Sequence, residues 1–252
     1  MSEAILEITK LSKNFGGVSA VSAVDLTLRK GELVGLIGPN GAGKTTLVNL
    51  VTGVFPPSSG RIVFNGEDVT GQKPYQAARR GMARTFQIVQ PFPDMNVLDN
   101  VAAGALFSGS ERSLAAARDA AYEHLKFVGI DPLASQQASS LTLANRKRME
   151  LAKSLAMKPT VLMLDEVNAG LNSGEIEGAM DLIREVARQG TTILIIEHLM
   201  KVMLGVSERI VVLHHGELIA SGTPSEIVND DRVIEAYLGQ KFAAQARELA
   251  DG

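Results

Sequence analysis

The chain of 252 residues carries 25 Lys and Arg against 28 Asp and Glu, a formal charge of -3, with 45% hydrophobic and 21% charged residues. That balance belongs to a globular protein with enough length to bury a full core, and it excludes a disordered or fibrous chain. A near-neutral total offers no field to attract nucleic acid or an anionic membrane, and the lack of cysteine excludes disulfides, thiolate chemistry and Cys-ligated metal.

The N-terminal stretch MSEAILEITK lacks the basic region and apolar core of a signal peptide, so the chain is expected to stay in the cytoplasm. β-rich runs at 5–9, 24–28 and 61–64, with turns at Gly16-Gly17, Lys30-Gly31 and Asn65-Gly66, predict a small antiparallel sheet. The continuous apolar run LVGLI at 33–37 has the pattern of a strand buried on both faces, and it recurs at 161–164, 192–196 and 210–213. Helical stretches lie between these runs, which predicts a parallel sheet with crossover helices. None approaches the roughly 20 apolar residues needed to span a bilayer, so any path across a membrane belongs to another chain.

GPNGAGKTT, residues 38–46, stands between LVGLI and the amphipathic stretch TLVNLVTG and matches G-x-x-x-x-G-K-[ST] in the required strand–turn–helix context. Gly38, Gly41 and Gly43 let the backbone curl so that successive N–H groups point at phosphate oxygens, and the following helix adds its positive end. The candidate nucleotide-binding residues are therefore Gly38, Pro39, Asn40, Gly41, Ala42, Gly43, Lys44, Thr45 and Thr46. In such a loop the lysine reaches the β- and γ-phosphates and the hydroxyl of Thr45 ligates Mg2+.

Between residues 87 and 159 there is no good strand run, but Leu114, Ala117, Ala121, Leu125 and Val128 fall at helical spacing within 113–128, and 146–157 is a second helix candidate. Residues 88–158 read as an inserted helical subdomain, entered through the proline-rich turn QPFPDM and left at Lys158-Pro159. Within it, LTLANRKRMELA at 141–152 has the form of a phosphate-grasping turn running into a helix from about Arg146, yet its turn holds no glycine. RKRME at 146–150 reads as a solvated helix face. VLMLDE at 161–166 delivers two carboxylates at the C-terminal end of an apolar strand, where α/β sheets place their ligands. Asp165 would complete the Mg2+ shell and Glu166 would polarise an attacking water. His198 follows the strand TTILIIE, and an imidazole there either hydrogen-bonds a γ-phosphate or is an ordinary surface or core histidine. Farther on, His214-His215 reads as a solvated turn, Thr223 to Glu226 as a capping box with Pro224 at N1, and 240–252 as an amphipathic end helix.

Taken in order, GPNGAGKTT, the lone glutamine of ARTFQ, a helical insert, LTLANRKRMELA, VLMLDE, NAGLN and IIEH resemble the ATP-binding subunits of ABC transporters over nearly the whole chain. The resemblance implies a P-loop NTPase (RecA-like) α/β core with an N-terminal antiparallel β subdomain, in a single ATP-binding domain over 1–252. Its nucleotide-binding core is 1–87 with 159–239, its helical subdomain 88–158 and its tail 240–252. It implies that ATP and Mg2+ are bound, that Gln87 senses Mg2+ and couples to the membrane subunit, that His198 is the switch histidine, and that NAGLN lies at a subunit interface. Phe15 is implied to stack on adenine, although by position it is also a candidate core aromatic of the small sheet. Thr142 stands where the family carries the serine of Leu-Ser-Gly-Gly-Gln, the turn that contacts the nucleotide held by the opposite subunit. Leu143 and Ala144 replace the glycines, which predicts a weakened contact and an asymmetric pair of sites if the second ATPase subunit has an intact turn.

Within the family, FGGVSAVSAVDL, RTFQIVQPFPDMNVLDNV, the AGLN segment and the insert at 108–130 are similar to subunits of branched-chain amino acid uptake systems; urea or amide uptake and lipopolysaccharide export ATPases share much of the pattern. The implied partners are two permease subunits, a second ATPase subunit packed head to tail, and indirectly a periplasmic solute-binding protein. The implied place is the cytoplasmic face of the inner membrane. Two other classes compete. A soluble ATP-dependent clamp would need a basic linker or second cassette, and a P-loop kinase would need an acceptor site and mobile lid arginines.

Overall fold

A computed structural model describes residues 3–86 and 91–238. In chain order the elements are β1 (Ala4–Phe15), β2 (Val18–Arg29), β3 (Leu33–Ile37), α1 (Lys44–Val51), β4 (Ser59–Phe64), β5 (Glu67–Asp68), α2 (Pro74–Arg79), β6 (Met82–Arg84), α3 (Val97–Ser108), α4 (Leu114–Phe127), α5 (Leu143–Ala156), β7 (Val161–Asp165), α6 (Ser173–Arg188), β8 (Thr192–Ile196), α7 (Met200–Val206), β9 (Arg209–His214), β10 (Glu217–Gly222) and α8 (Pro224–Val228). They form two compact units, one drawn from Met1–Gln72 and Ala187–Gly252 and the other from Lys73–Val186. Gln87 and the expected end helix at 240–252 lie outside the described residues.

In the first unit the antiparallel sheet has the order β2-β1-β4-β5. β1 runs past the predicted 5–9 because Leu11 is fully buried and keeps an inward position beyond a register shift between Ile8 and Leu11. Leu6, Leu11, Leu28, Ile62 and Phe64 fill its inner face; full burial of such side chains contributes about 1.5–3 kcal/mol each. The parallel part of this unit has β3 between β9 and β8, with Gly35 opposite Ile195 on one side and Ile210 on the other. Every residue of β3 and of β8 is buried, as expected of strands covered on both faces. β10 closes the β9 edge in antiparallel register, and the Thr223–Glu226 capping box with Pro224 at N1 opens α8.

In the second unit β6 and β7 pair in parallel, Met82 opposite Val161 and Arg84 opposite Met163. The helical part holds α4 and α5 as expected, and in addition α3. That helix is apolar nearly all round, so no periodic stripe marks it. Its ends are marked locally by the Asn96 cap, which accepts from the Asp99 amide, and by Gly109. Asn100, fully buried on α3, ties down the proline-rich turn: its Oδ1 accepts from Phe92 N (2.8 Å) and its Nδ2 donates to the Phe92 carbonyl (3.1 Å) and the Asn96 carbonyl (2.9 Å).

Candidate functional site

The glycine-rich loop belongs to the first unit. It leaves β3 at Gly38, where φ is 154° and a Cβ would lie 2.1 Å from the Leu213 carbonyl oxygen; at Gly43, with φ 102°, a Cβ would lie 2.4 Å from the Ala20 carbonyl oxygen. No other residue fits either position, so these glycines shape the loop rather than merely loosening it. Pro39 and Asn40 lead to a turn closed by Ala42 N donating to the Pro39 carbonyl (3.1 Å), with Gly41 on its outer side. Lys44 is buried and folds back under the loop, donating from Nζ to the carbonyls of Gly38 (2.7 Å) and Pro39 (3.1 Å). The first bond of α1 runs from Leu47 N to the Gly43 carbonyl (2.8 Å), which places the amides of Lys44, Thr45 and Thr46 in the first helical turn, pointing toward its N-terminal end. First-turn amides beside a tethered ammonium suit a polyphosphate.

Two other expected residues lie in the same unit. Phe15 ends β1 with 43% of its surface exposed, edge-on to Phe55 at 5.2 Å between ring centroids and with the Lys13 ammonium 5.1 Å from its ring centre. It is therefore not a core aromatic of the small sheet. His198 is exposed two residues beyond β8, next to the buried Glu197.

The second unit holds Thr142, Asp165 and Glu166. Asp165 is buried at the end of β7, where its amide donates to Thr85 Oγ1 (3.1 Å) and its carboxylate accepts from Arg84 Nη2 (3.1 Å). The side chains of this pair are 9% and 4% exposed. Burial pushes the Arg84 guanidinium down from its ordinary value, and the Asp165 carboxylate opposes that shift. Glu166 follows in a left-handed conformation, φ 49°, and its carbonyl accepts from Lys147 Nζ (3.0 Å) and from Ala169 N (3.2 Å). In NAGLN, Asn172 caps α6 reciprocally with Glu175: Glu175 N donates to Asn172 Oδ1 (3.0 Å) and Asn172 N to Glu175 Oε2 (2.8 Å). An asparagine does this as well as an aspartate, so the departure from the family's usual residue leaves the helix start intact.

The structure corrects the reading of LTLAN. The helix starts at Leu143, not near Arg146, and Thr142 is its N-cap, with Oγ1 accepting from Asn145 N (3.3 Å). Leu143 and Ala144 have ordinary helical backbone, so the turn presents first-turn amides without needing the left-handed angles that would demand glycine. What distinguishes it is the Leu143 side chain, 47% exposed. RKRME is not a solvated face either. Arg146 donates to the carbonyls of Leu141 (3.0 Å) and Ser139 (2.8 Å), Lys147 to that of Glu166, Arg148 to that of Val128 (3.4 Å), and Glu150 is buried. Arg84, Thr85 and Lys147 were not singled out from the sequence; only the run ARTFQ, with a basic residue on a strand three residues long, hinted at the first two.

The sequence profile of the ABC transporter family matches residues 21–169, well over half of the chain. The chain belongs to the ABC transporter ATP-binding family. A second profile, described as the branched-chain amino acid ATP-binding cassette transporter, matches residues 217–243 of this cassette. The high-affinity branched-chain amino acid transport ATP-binding protein LivG of Salmonella typhimurium is 42% identical over 95% of the chain and all of its own length; BraF of Pseudomonas aeruginosa, of the same description, is 37% identical over the same shares. Among solved structures, a nucleotide-free ATP-binding cassette from an ABC transporter matches with a TM-score of 0.85 at 29% identity, over 94% of this chain and all of that one. An ABC cassette in its ADP conformation matches equally well, at 0.85 and 29% over 95% of this chain and all of that one. The cassette is thus a nucleotide-binding α/β fold with an antiparallel β subdomain. Among the described residues no helix is long and apolar enough to cross a membrane.

Proposed function

We propose that this chain is the ATP-hydrolysing subunit of an ABC transporter that imports branched-chain amino acids, a translocase working on the cytoplasmic face of the inner membrane. The observation that carries the ATPase part is the cradle of first-turn amides and buried Lys44 between Gly38 and Thr46. The solute class is supported by the full-length likeness to LivG and BraF, whose names give branched-chain amino acid transport.

In this reading the loop amides and Lys44 hold the β- and γ-phosphates, and the exposed Phe15 stacks on adenine. Hydroxyl and carboxylate oxygens suit Mg2+, which takes few protein ligands beside phosphate oxygens and water: Thr45 and Asp165 would hold it, with Gln87 contributing through water. When bound, Mg2+ neutralises charge on the phosphates. Glu166 accepts a proton from the water that attacks the γ-phosphorus as the bond from that phosphorus to the β–γ bridging oxygen breaks, leaving ADP and phosphate; His198 donates a hydrogen bond to the γ-phosphate. Two cassettes face each other head to tail, and the amides behind Thr142 reach the nucleotide in the partner's loop. Closure of the pair passes through the helical subdomain to two permease subunits, which a periplasmic solute-binding protein serves from the far side. Nucleic acid has no part in this cycle.

The test is reconstitution with the permease and binding-protein chains. Phosphate should be released from ATP without any acceptor, faster when the binding protein carries leucine. Glu166→Gln should keep ATP binding and lose about 100-fold or more of turnover, on the scale of removing a principal catalytic group. Stimulation by urea but not by leucine would overturn the solute class, and normal turnover in Glu166→Gln would remove the residue from its role.

A further inference from the structure

We infer that Lys147, on α5, is a positioning residue that holds Glu166 in its left-handed conformation through the hydrogen bond to the Glu166 carbonyl, and so fixes where the carboxylate lies. This rests on the proposal that Glu166 polarises the attacking water.

Glutamate rarely adopts positive φ, because its Cβ crowds the following carbonyl, and such a conformation persists only where the surroundings impose it. At Glu166, φ is 49° in the residue directly after β7. Its carbonyl accepts the Lys147 ammonium at 3.0 Å, a charge-assisted bond of the stronger kind, beside the weaker turn bond from Ala169 N at 3.2 Å. Packing leaves room beneath this corner. A cavity of about 40 Å³ is lined by Lys147 with Leu164, Val167, Leu171 and Glu175, next to the corner at Asp165 and Glu166, so packing on that side does not by itself fix the corner once the ammonium is gone.

α5 grips the same loop a second time. Leu143, in its first turn, covers Gly170: a Cβ on Gly170 would stand 2.8 Å from Leu143 Cδ2. Lys147 lies five residues from Thr142 on one rigid helix, a rise of about 7.5 Å at 1.5 Å per residue. The amides that meet the partner's nucleotide and the ammonium that sets Glu166 therefore move together. Occupancy of one site is felt at the catalytic carboxylate of the other, and Lys147 is the link.

The experiment compares wild type, Lys147→Met, Lys147→Arg and Glu166→Gln in the full-length chain, in the assembled transporter. Steady-state kcat, KM for MgATP, the Hill slope in ATP and the melting midpoint are measured for each. Lys147→Met keeps the stem and removes the donor. It should lower kcat about tenfold, with KM within about twofold, a shallower Hill slope and an unchanged midpoint, the pattern of a contact that acts on the transition state. Lys147→Arg, which still donates, should restore kcat to within about threefold of wild type. Should the Met variant fail to fold, Lys147→Gln, too short to reach the carbonyl, is read by the same criteria. A kcat for Lys147→Met within about twofold of wild type overturns the inference, as does a loss that follows the melting midpoint and is not restored by arginine. Wild-type turnover in Glu166→Gln is a separate failure, that of the underlying reading.

Discussion

Arg84→Met keeps most of the apolar stem of Arg84 and removes the guanidinium facing Asp165. Both side chains of the pair are more than nine-tenths buried, so solvent screening does not reduce their interaction to the small value typical of surface pairs. Removing one partner of a buried ion pair costs about 3–5 kcal/mol. Because the Asp165 amide stays anchored on Thr85 Oγ1, the strand end should hold its place and the lower figure applies. At roughly 2–4 °C per kcal/mol for a chain of this length, 3 kcal/mol lowers the melting midpoint by about 6–12 °C. Calorimetry in a chelator, with circular dichroism as a second probe, measures this and shows whether the two units melt together. The double variant Arg84→Met, Asp165→Asn removes both charges and should recover most of the loss. Adding Mg2+ and ATP to the single variant should narrow the gap, since the metal replaces the guanidinium as counter-charge. A midpoint for Arg84→Met within about 1 °C of wild type, or a double variant as unstable as the two single losses summed, would refute the reasoning.

Two further predictions concern the first unit. Phe15→Ala should weaken ATP binding by about 1–3 kcal/mol, the usual loss for a base stacked on an aromatic ring, while Phe15→Tyr should retain affinity; calorimetric titration decides, and unchanged affinity in Phe15→Ala would place adenine elsewhere. Asp68 has its carboxyl lowered from 3.8 to about 2 by hydrogen bonds from Thr70 and then from Arg61. Because the folded value lies below the unfolded one, its stabilising contribution is present above about pH 3.8 and disappears as pH falls through about 2. Thr70→Val, which removes the hydroxyl and keeps the backbone donor, should move the carboxyl titration, followed by NMR, up toward 3.8, and no movement would mean that the Thr70 amide and Arg61 set it without the hydroxyl.

The parts of the cassette that could be read in the sequence are those whose causes are local. LVGLI and ILII form unbroken runs without charge or strongly polar groups because both strand faces are covered, and β3 and β8 follow those runs, β8 starting one residue earlier at Thr192. The glycines at 38 and 43 are required by carbonyls that stand where a Cβ would be, and that need shows as a motif. Thr223, Pro224 and Glu226 signal a helix start within four residues. What escaped was set by distant partners. Arg84 meets an aspartate 81 positions later, and the charges of 146–148 end on carbonyls at 128, 139, 141 and 166, so charge pattern alone suggested a solvated face. α3 escaped for the opposite reason, having too little polar surface to show a period. In LTLAN the missing glycines suggested a loop running into a helix near Arg146, whereas the backbone at Leu143 and Ala144 is already the first turn of that helix.

Arg146 reaches back past the start of its own helix to the carbonyls of Ser139 and Leu141, and so belts the turn from behind. A glycine-rich turn in this place is a pliable segment that must give up conformational freedom when a nucleotide arrives, and that ordering opposes association. Here the belt and the Thr142 cap have already settled the backbone before any ligand approaches. In the proposed head-to-tail pair, a glycine-free turn exchanges adaptability for readiness: it would tolerate less variation in how the opposing subunit presents its nucleotide, and would meet a correctly presented one with less entropy left to lose.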